Sequence, residues 1–138
     1  MIIADTSGLL AAFDRSERRH AAVIPHLTGS EALVVSPYVV AELGQLVGTR
    51  MGTRSEVQVM TELAGGGYEL ACLDRQDVLR AVDVMERYAD LDIGITDASL
   101  VVLSERHGTT DILTLDERHF RVLQPLQGGS FTLLPADV

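Results

Sequence analysis

The sequence predicts an α/β domain in three layers, with a central, mostly parallel sheet of about five strands flanked by helices. Short apolar runs rich in Val, Ile and Leu recur near residues 1–4, 32–35, 68–73, 112–115 and 131–134, each bounded by turn or cap residues. Longer stretches with helix caps separate most of them, and strands joined through helices pair in parallel. The length of 138 residues, 46% of them hydrophobic, suits one domain over 1–138 with one core.

Met1–Ala4 reads as a buried first strand, and Asp5-Thr6-Ser7-Gly8 as the turn at its carboxyl end. Leu9–Phe13 follows as a short helix. Ser16 is expected to cap a second helix running through Val23 toward Leu27, with Pro25 a point of bending. Ala32–Val35 forms the next strand. Ser36 then caps a helix through Val47 whose first turn holds Pro37. A further helix from about Ser55 to Ala64 stops at the Gly65-Gly66-Gly67 turn. Tyr68–Leu73 is the third strand, Asp74 caps a helix to about Tyr88, and Thr96 is expected to cap one that ends at His107-Gly108. Ile112–Leu115 and Phe131–Leu134 complete the sheet.

Composition narrows the chemistry. All eleven basic residues are arginine, which excludes a phosphate-loop lysine and a Schiff base. The formal charge of −9 argues against a nonspecific coat on nucleic acid, which needs many cationic contacts to phosphate. The charge is uneven: residues 43–55 hold Arg50 and Arg54 and no acid, whereas 69–97 hold eight acids against Arg75, Arg80 and Arg87. A basic rim beside an acidic pocket is compatible with that distribution. No apolar run reaches the roughly 18 residues of a membrane span, and the strand-like start leaves no room for an export signal, so a cytoplasmic location is expected. Cys72 is the single cysteine and is expected to be a buried strand thiol.

Four acids far apart in the chain, Asp5, Glu42, Asp97 and Asp116, are expected to meet in one cleft. Asp5 and Asp116 both follow apolar strands, so a parallel sheet delivers them to the same edge, where ligands gather in open α/β sheets. Asp97 begins a helix, and Glu42, between Val39 and Leu46 at helical spacing, is expected to point partly inward. Taken singly, each has a structural explanation: Asp5, Asp97 and Asp116 suit helix starts, and Glu42 can reach solvent or an arginine. Together they would repel one another unless a cation or a shifted protonation relieves the cluster. Oxygen donors with few nitrogen or sulfur neighbours favour Mg²⁺ or Mn²⁺ over Zn²⁺.

Other candidates are weaker. His20, His26, His107 and His119 lack the spacing of a zinc site and are expected to be surface or packing residues. Ser7 lacks a Gly-x-Ser-x-Gly elbow and is expected, with Thr6, to cap a helix or orient a metal-bound water. An aspartyl phosphohydrolase on Asp5 would need an acid at position 7, and a receiver domain would need a lysine; neither is present.

Ile2-Ile3-Ala4-Asp5-Thr6-Ser7, Val40-Ala41-Glu42-Leu43, the run from Leu91 through Thr96-Asp97 to Leu100, and the run from Leu113 through Asp116 to Phe120 resemble a PIN domain. The small size is similar to VapC-type toxins of bacterial toxin–antitoxin pairs. The resemblance implies a PIN-like fold, an Mg²⁺- or Mn²⁺-dependent endoribonuclease, a homodimer, and inhibition by a VapB-like antitoxin whose tail fills the acidic groove. It carries Asp5, Glu42, Asp97 and Asp116 over as metal ligands and catalytic residues. Whether Asp116, its neighbour Glu117, or Asp90 and Asp92 complete the site stays open at this stage. The competing expectation is a catalytically silent PIN-like module that binds RNA or protein.

Overall fold

A computed structural model describes residues 1–138. Five parallel strands form one sheet in the order β3-β2-β1-β4-β5: β1 Ile2–Ala4, β2 Leu33–Val35, β3 Tyr68–Leu70, β4 Asp111–Leu113 and β5 Thr132–Leu134. All residues of β1 and β2 are buried, which requires cover on both faces of the sheet. The β3 edge is open, with Glu69 and Leu70 exposed.

Seven α-helices connect the strands: α1 Thr6–Phe13, α2 His20–Leu27, α3 Pro37–Met51, α4 Thr53–Leu63, α5 Arg75–Arg87, α6 Ile95–His107 and α7 Glu117–Phe120. A 3₁₀ turn at Ala89–Leu91 precedes α6. α1 packs with α2 and α3, α3 with α4, and α5 with α6, while α6 also meets β1. A single cluster of 31 buried apolar residues, from Ile2 to Leu134, fills the space between sheet and helices. No helix is long and apolar enough to cross a membrane.

Several caps form as the sequence predicts. Ser36 accepts a hydrogen bond from the Tyr38 N–H beside Pro37, and Asp74 and Asp77 make a reciprocal capping box at the start of α5. Three local expectations are corrected. Ser16 does not cap α2, because its backbone N–H and hydroxyl donate to the Asp14 carboxylate and the helix starts at His20. Thr96 lies inside α6: Asp92, at φ 56°, reverses the chain after the 3₁₀ turn, and the helix starts from Gly94. Cys72 is exposed and lies beyond β3, which stops at Leu70, so it is no buried strand thiol.

Gly8 sets the approach of α1 to the sheet. A Cβ at this position would stand 2.5 Å from the Leu113 carbonyl oxygen and 2.8 Å from Leu113 Cγ, so only glycine lets the first turn of α1 lie against the end of β4. This contact brings the segments after β1 and β4 side by side. The strand order reverses between the same two strands, the point in a parallel sheet where a crevice opens outside the carboxyl ends.

Candidate active site

All four predicted acids line one cleft of about 390 Å³ at that switch point, together with Thr6, Ser7, Arg50, Thr96 and His119. Asp5 comes from the end of β1, Glu42 from α3, Asp97 from the first turn of α6, and Asp116 from the start of α7. Glu117, Asp90 and Asp92 do not line it. Glu117 turns away to pair with Arg121 at 2.9 Å.

Asp5 is the best-held member. Its Oδ1 accepts from the Thr6 N–H at 2.8 Å, which makes it the cap of α1. Its Oδ2 accepts from the hydroxyls of Thr114, at 2.7 Å, and Ser7, at 3.3 Å. Ser7 in turn accepts from the Leu115 N–H at 2.9 Å, and Thr114 from the Asp116 N–H at 2.9 Å. The two hydroxyls therefore join the carboxylate of one strand end to the backbone of the other. Burial nevertheless outweighs these donors and, with the nearby Asp97 charge, pushes the Asp5 carboxyl up to about 6. The capping carboxylate also lines the cleft.

A second network fixes the opposite wall. The buried Ser99 hydroxyl donates to the Thr96 carbonyl at 2.6 Å, so its oxygen is left to accept from Ser36, whose Oγ lies 2.8 Å away. Ser36 itself accepts from Tyr38, and the chain of bonds ties the start of α3 to the start of α6. Freed from capping, the Thr96 hydroxyl donates across the cleft to Glu42 Oε2 at 3.2 Å. Glu42 is exposed, a correction to its expected inward tilt. The buried stripe of α3 is Val39, Leu43 and Val47, and Glu42 stands on the next row with Leu46 and Arg50.

His119 is the principal residue that sequence reasoning misses. Far from being a surface or packing residue, it puts Nδ1 at 2.9 Å from Asp97 Oδ2 and 3.3 Å from Asp116 Oδ2. Asp116 caps α7 by accepting from the His119 N–H at 3.5 Å, so this short helix delivers both side chains. The one available signal was the spacing Asp-x-x-His after a strand, which a short cap turn brings together. Asp97 is raised above the ordinary carboxylate range by burial, against the lowering effect of the His119 contact; the charges of Asp116 and Glu42 raise it further.

The donor set fits a hard divalent cation: oxygen ligands dominate, and two of the acids are raised toward protonation, chiefly by burial and further by neighbouring carboxylates, a charge a cation would offset. Thr6 is among the residues that line the cleft, and its buried Oγ1 has no hydrogen-bond partner. As arranged, no three His, Cys, Asp or Glu side chains are close enough to hold one ion.

The family model described as PIN domain matches residues 2–124. The chain belongs to the PIN-domain family. Within that family it is 52% identical over 135 residues to Ribonuclease VapC26 of Mycobacterium tuberculosis, covering 97% of this chain and 100% of the relative, which makes it a PIN domain of the VapC type. Among solved structures, the fold of this PIN domain is similar to that of M. tuberculosis VapC20, described as a sarcin-ricin loop cleaving toxin. The TM-score is 0.78 with 18% identity, over 86% of this chain and 92% of that one. It is also similar to VapBC2 of Rickettsia felis, solved bound to a DNA fragment from the promoter of the pair, with a TM-score of 0.67 and 14% identity over 96% of this chain and 97% of that one. At such identities these two likenesses speak for the fold alone.

Proposed function

We propose that this PIN domain is an endoribonuclease toxin of the VapC type, which hydrolyses RNA phosphodiester bonds with Mg²⁺ or Mn²⁺ and is inhibited by a VapB-like antitoxin. The observation that carries this reading is the meeting of Asp5, Glu42, Asp97 and Asp116, from four separate elements, in one cleft at the switch point of the sheet. The similarity to a relative named as a ribonuclease supports the reaction, and the likeness to a toxin–antitoxin complex from Klebsiella pneumoniae supports the partner. We further propose a single domain over 1–138, a homodimer, and action in the cytoplasm, where its RNA would be met.

In this reading Asp5, Glu42, Asp97 and Asp116 hold the cation and form the catalytic set. A bound cation would supply Lewis acidity, lowering the pKa of water so that hydroxide is available near neutral pH, and would offset charge on the phosphate. Ser7 and Thr114 keep Asp5 aimed into the cleft, Thr96 steadies Glu42, and His119 holds Asp97 against Asp116. Their hydrogen bonds fix the carboxylates before substrate arrives, which is where much of the catalytic advantage of such a site arises.

One observation favours the alternative of a catalytically silent module that binds RNA or protein: the acids as arranged do not close on an ion. Incubating the purified chain with a mixed cellular RNA pool and Mg²⁺ or Mn²⁺, and mapping new RNA ends, separates the two. Cleavage that disappears both with chelator and in Asp97→Asn supports the ribonuclease. A folded chain that neither binds metal nor cuts RNA supports the silent module.

A further inference from the structure

Glu42, Leu46 and Arg50 form one row along α3, at four-residue intervals, and all three line the cleft. Arg50 is the one arginine among the lining residues, facing a site with four carboxylates. Building on the ribonuclease reading, we propose that Arg50 anchors a backbone phosphate of bound RNA, a few nucleotides from the bond that is cut.

The first support is that the guanidinium is uncommitted. Arg80 pairs with Glu105, Arg106 with Asp77, and Arg121 with Glu117 and Asp137, whereas Arg50, like the other seven arginines, makes neither an ion pair nor a side-chain hydrogen bond, and among those eight it alone lines the cleft. The Ser16 hydroxyl and N–H, both donating to Asp14 Oδ1, chiefly hold that carboxyl below the usual range; the Arg50 charge adds to this without forming an ion pair. An arginine fork without a carboxylate partner, on the wall of a cleft, is suited to bidentate contact with a phosphate.

The second support is electrostatic. A chain of formal charge −9 presents a polyanion with an acidic cleft, and cations held by the carboxylates would offset only the charge at the cut. RNA entering along α3 needs a positive contact away from that point, and Arg50 provides it. The eight positions from Glu42 to Arg50 span about 12 Å of helix at about 1.5 Å per residue. At about 3.4 Å per stacked nucleotide, this distance corresponds to roughly three nucleotides.

The experiment compares wild type, Arg50→Gln and Arg50→Lys, with a fluorescent random-sequence RNA 12-mer in Ca²⁺ for binding and the mapped RNA substrate in Mg²⁺ for cleavage. Arg50→Gln is expected to weaken binding severalfold and to lower the slope of log K against log salt by about 0.7, the value for one lost contact to a single strand. KM is expected to rise while kcat holds, and Arg50→Lys to restore the slope. A neutral methylphosphonate near the third phosphate from the cut should weaken wild type as much as Arg50→Gln does, and leave Arg50→Gln unchanged. An unaltered slope and KM in Arg50→Gln, with wild-type cleavage intact, would assign the guanidinium to a protein carboxylate instead and overturn this proposal alone. A wild-type chain that neither binds nor cuts RNA would overturn the ribonuclease reading with it.

Discussion

Nδ1 of His119 lies 2.9 Å from Oδ2 of Asp97, joining a residue of α7 to one of α6 across the cleft. The contact lowers the proton affinity of a carboxyl that burial raises, so it stabilises Asp97 in its charged form. His119→Ala should therefore destabilise the metal-free protein by roughly 1–3 kcal/mol, the usual cost of removing a partner from a charged, half-buried acceptor. Saturating Mg²⁺ should raise the melting temperature of the variant by more than it raises that of wild type, because the ion no longer competes with the imidazole for Asp97 and Asp116. Equal Mg²⁺ shifts in thermal melts of the two proteins would refute that competition.

Asp5 gives a pH signature. Its carboxyl, near 3.8 when unfolded, is raised to about 6 in the fold, so the native state prefers the protonated form. Below pH 3.8 both states are protonated and the fold bears no penalty. As pH rises toward 6 the unfolded chain ionises first, and above 6 the cost is complete, roughly 3 kcal/mol at about 1.4 kcal/mol per pH unit. Asp5→Asn should thus be more stable than wild type at pH 7.5 in chelator, and the gap should close by about pH 3.8. Melting curves across that range check it; a gap independent of pH would show that burial of the charge is not the cause.

Thr114→Val keeps the shape of the side chain and removes the 2.7 Å hydrogen bond to Asp5 along with the acceptor for the Asp116 N–H. Urea denaturation at neutral pH should record a loss of about 1–3 kcal/mol. RNA cleavage should fall through kcat, since Asp5 loses its aim. Full activity in a destabilised variant would separate the two roles and discount Thr114 as a positioning residue.

Gly8→Ala tests the approach of α1 to β4. The added Cβ meets backbone at 2.5 Å and cannot be accommodated by rotating a side chain. The expected cost is about 1–3 kcal/mol or more, as for other overpacked sites. An urea midpoint equal to that of wild type would mean that α1 shifts freely, and the close contact would lose its structural weight.

The parts legible in the sequence are those governed by local rules. β1 and β2 are continuous apolar runs because both their faces are covered, and Ser36-Pro37 and Asp74 announce helix starts by side-chain chemistry alone. The sheet edge shared by Asp5 and Asp116 followed from parallel pairing. What escaped depends on contacts across the fold. Thr96 carries a cap residue's hydroxyl, yet the turn before it starts α6 early and the hydroxyl finds Glu42 instead. Thr114 reads as one more strand residue, though β4 ends at Leu113 and leaves its side chain facing Asp5. His119 sits in a helix of four residues, too short for any periodicity to announce.

The Thr114–Asp5 hydrogen bond spans 109 positions, and β1 lies at the middle of the sheet between a neighbour made early and one made late. During synthesis the segment carrying Asp5 emerges first and must wait for β4 to complete its pocket. The partners of β1 on its two sides, β2 and β4, are made far apart in time, and the carboxylate cluster cannot assemble until the chain has been made through Asp116. The cluster therefore comes together late in synthesis, once the segment through Asp116 has been made.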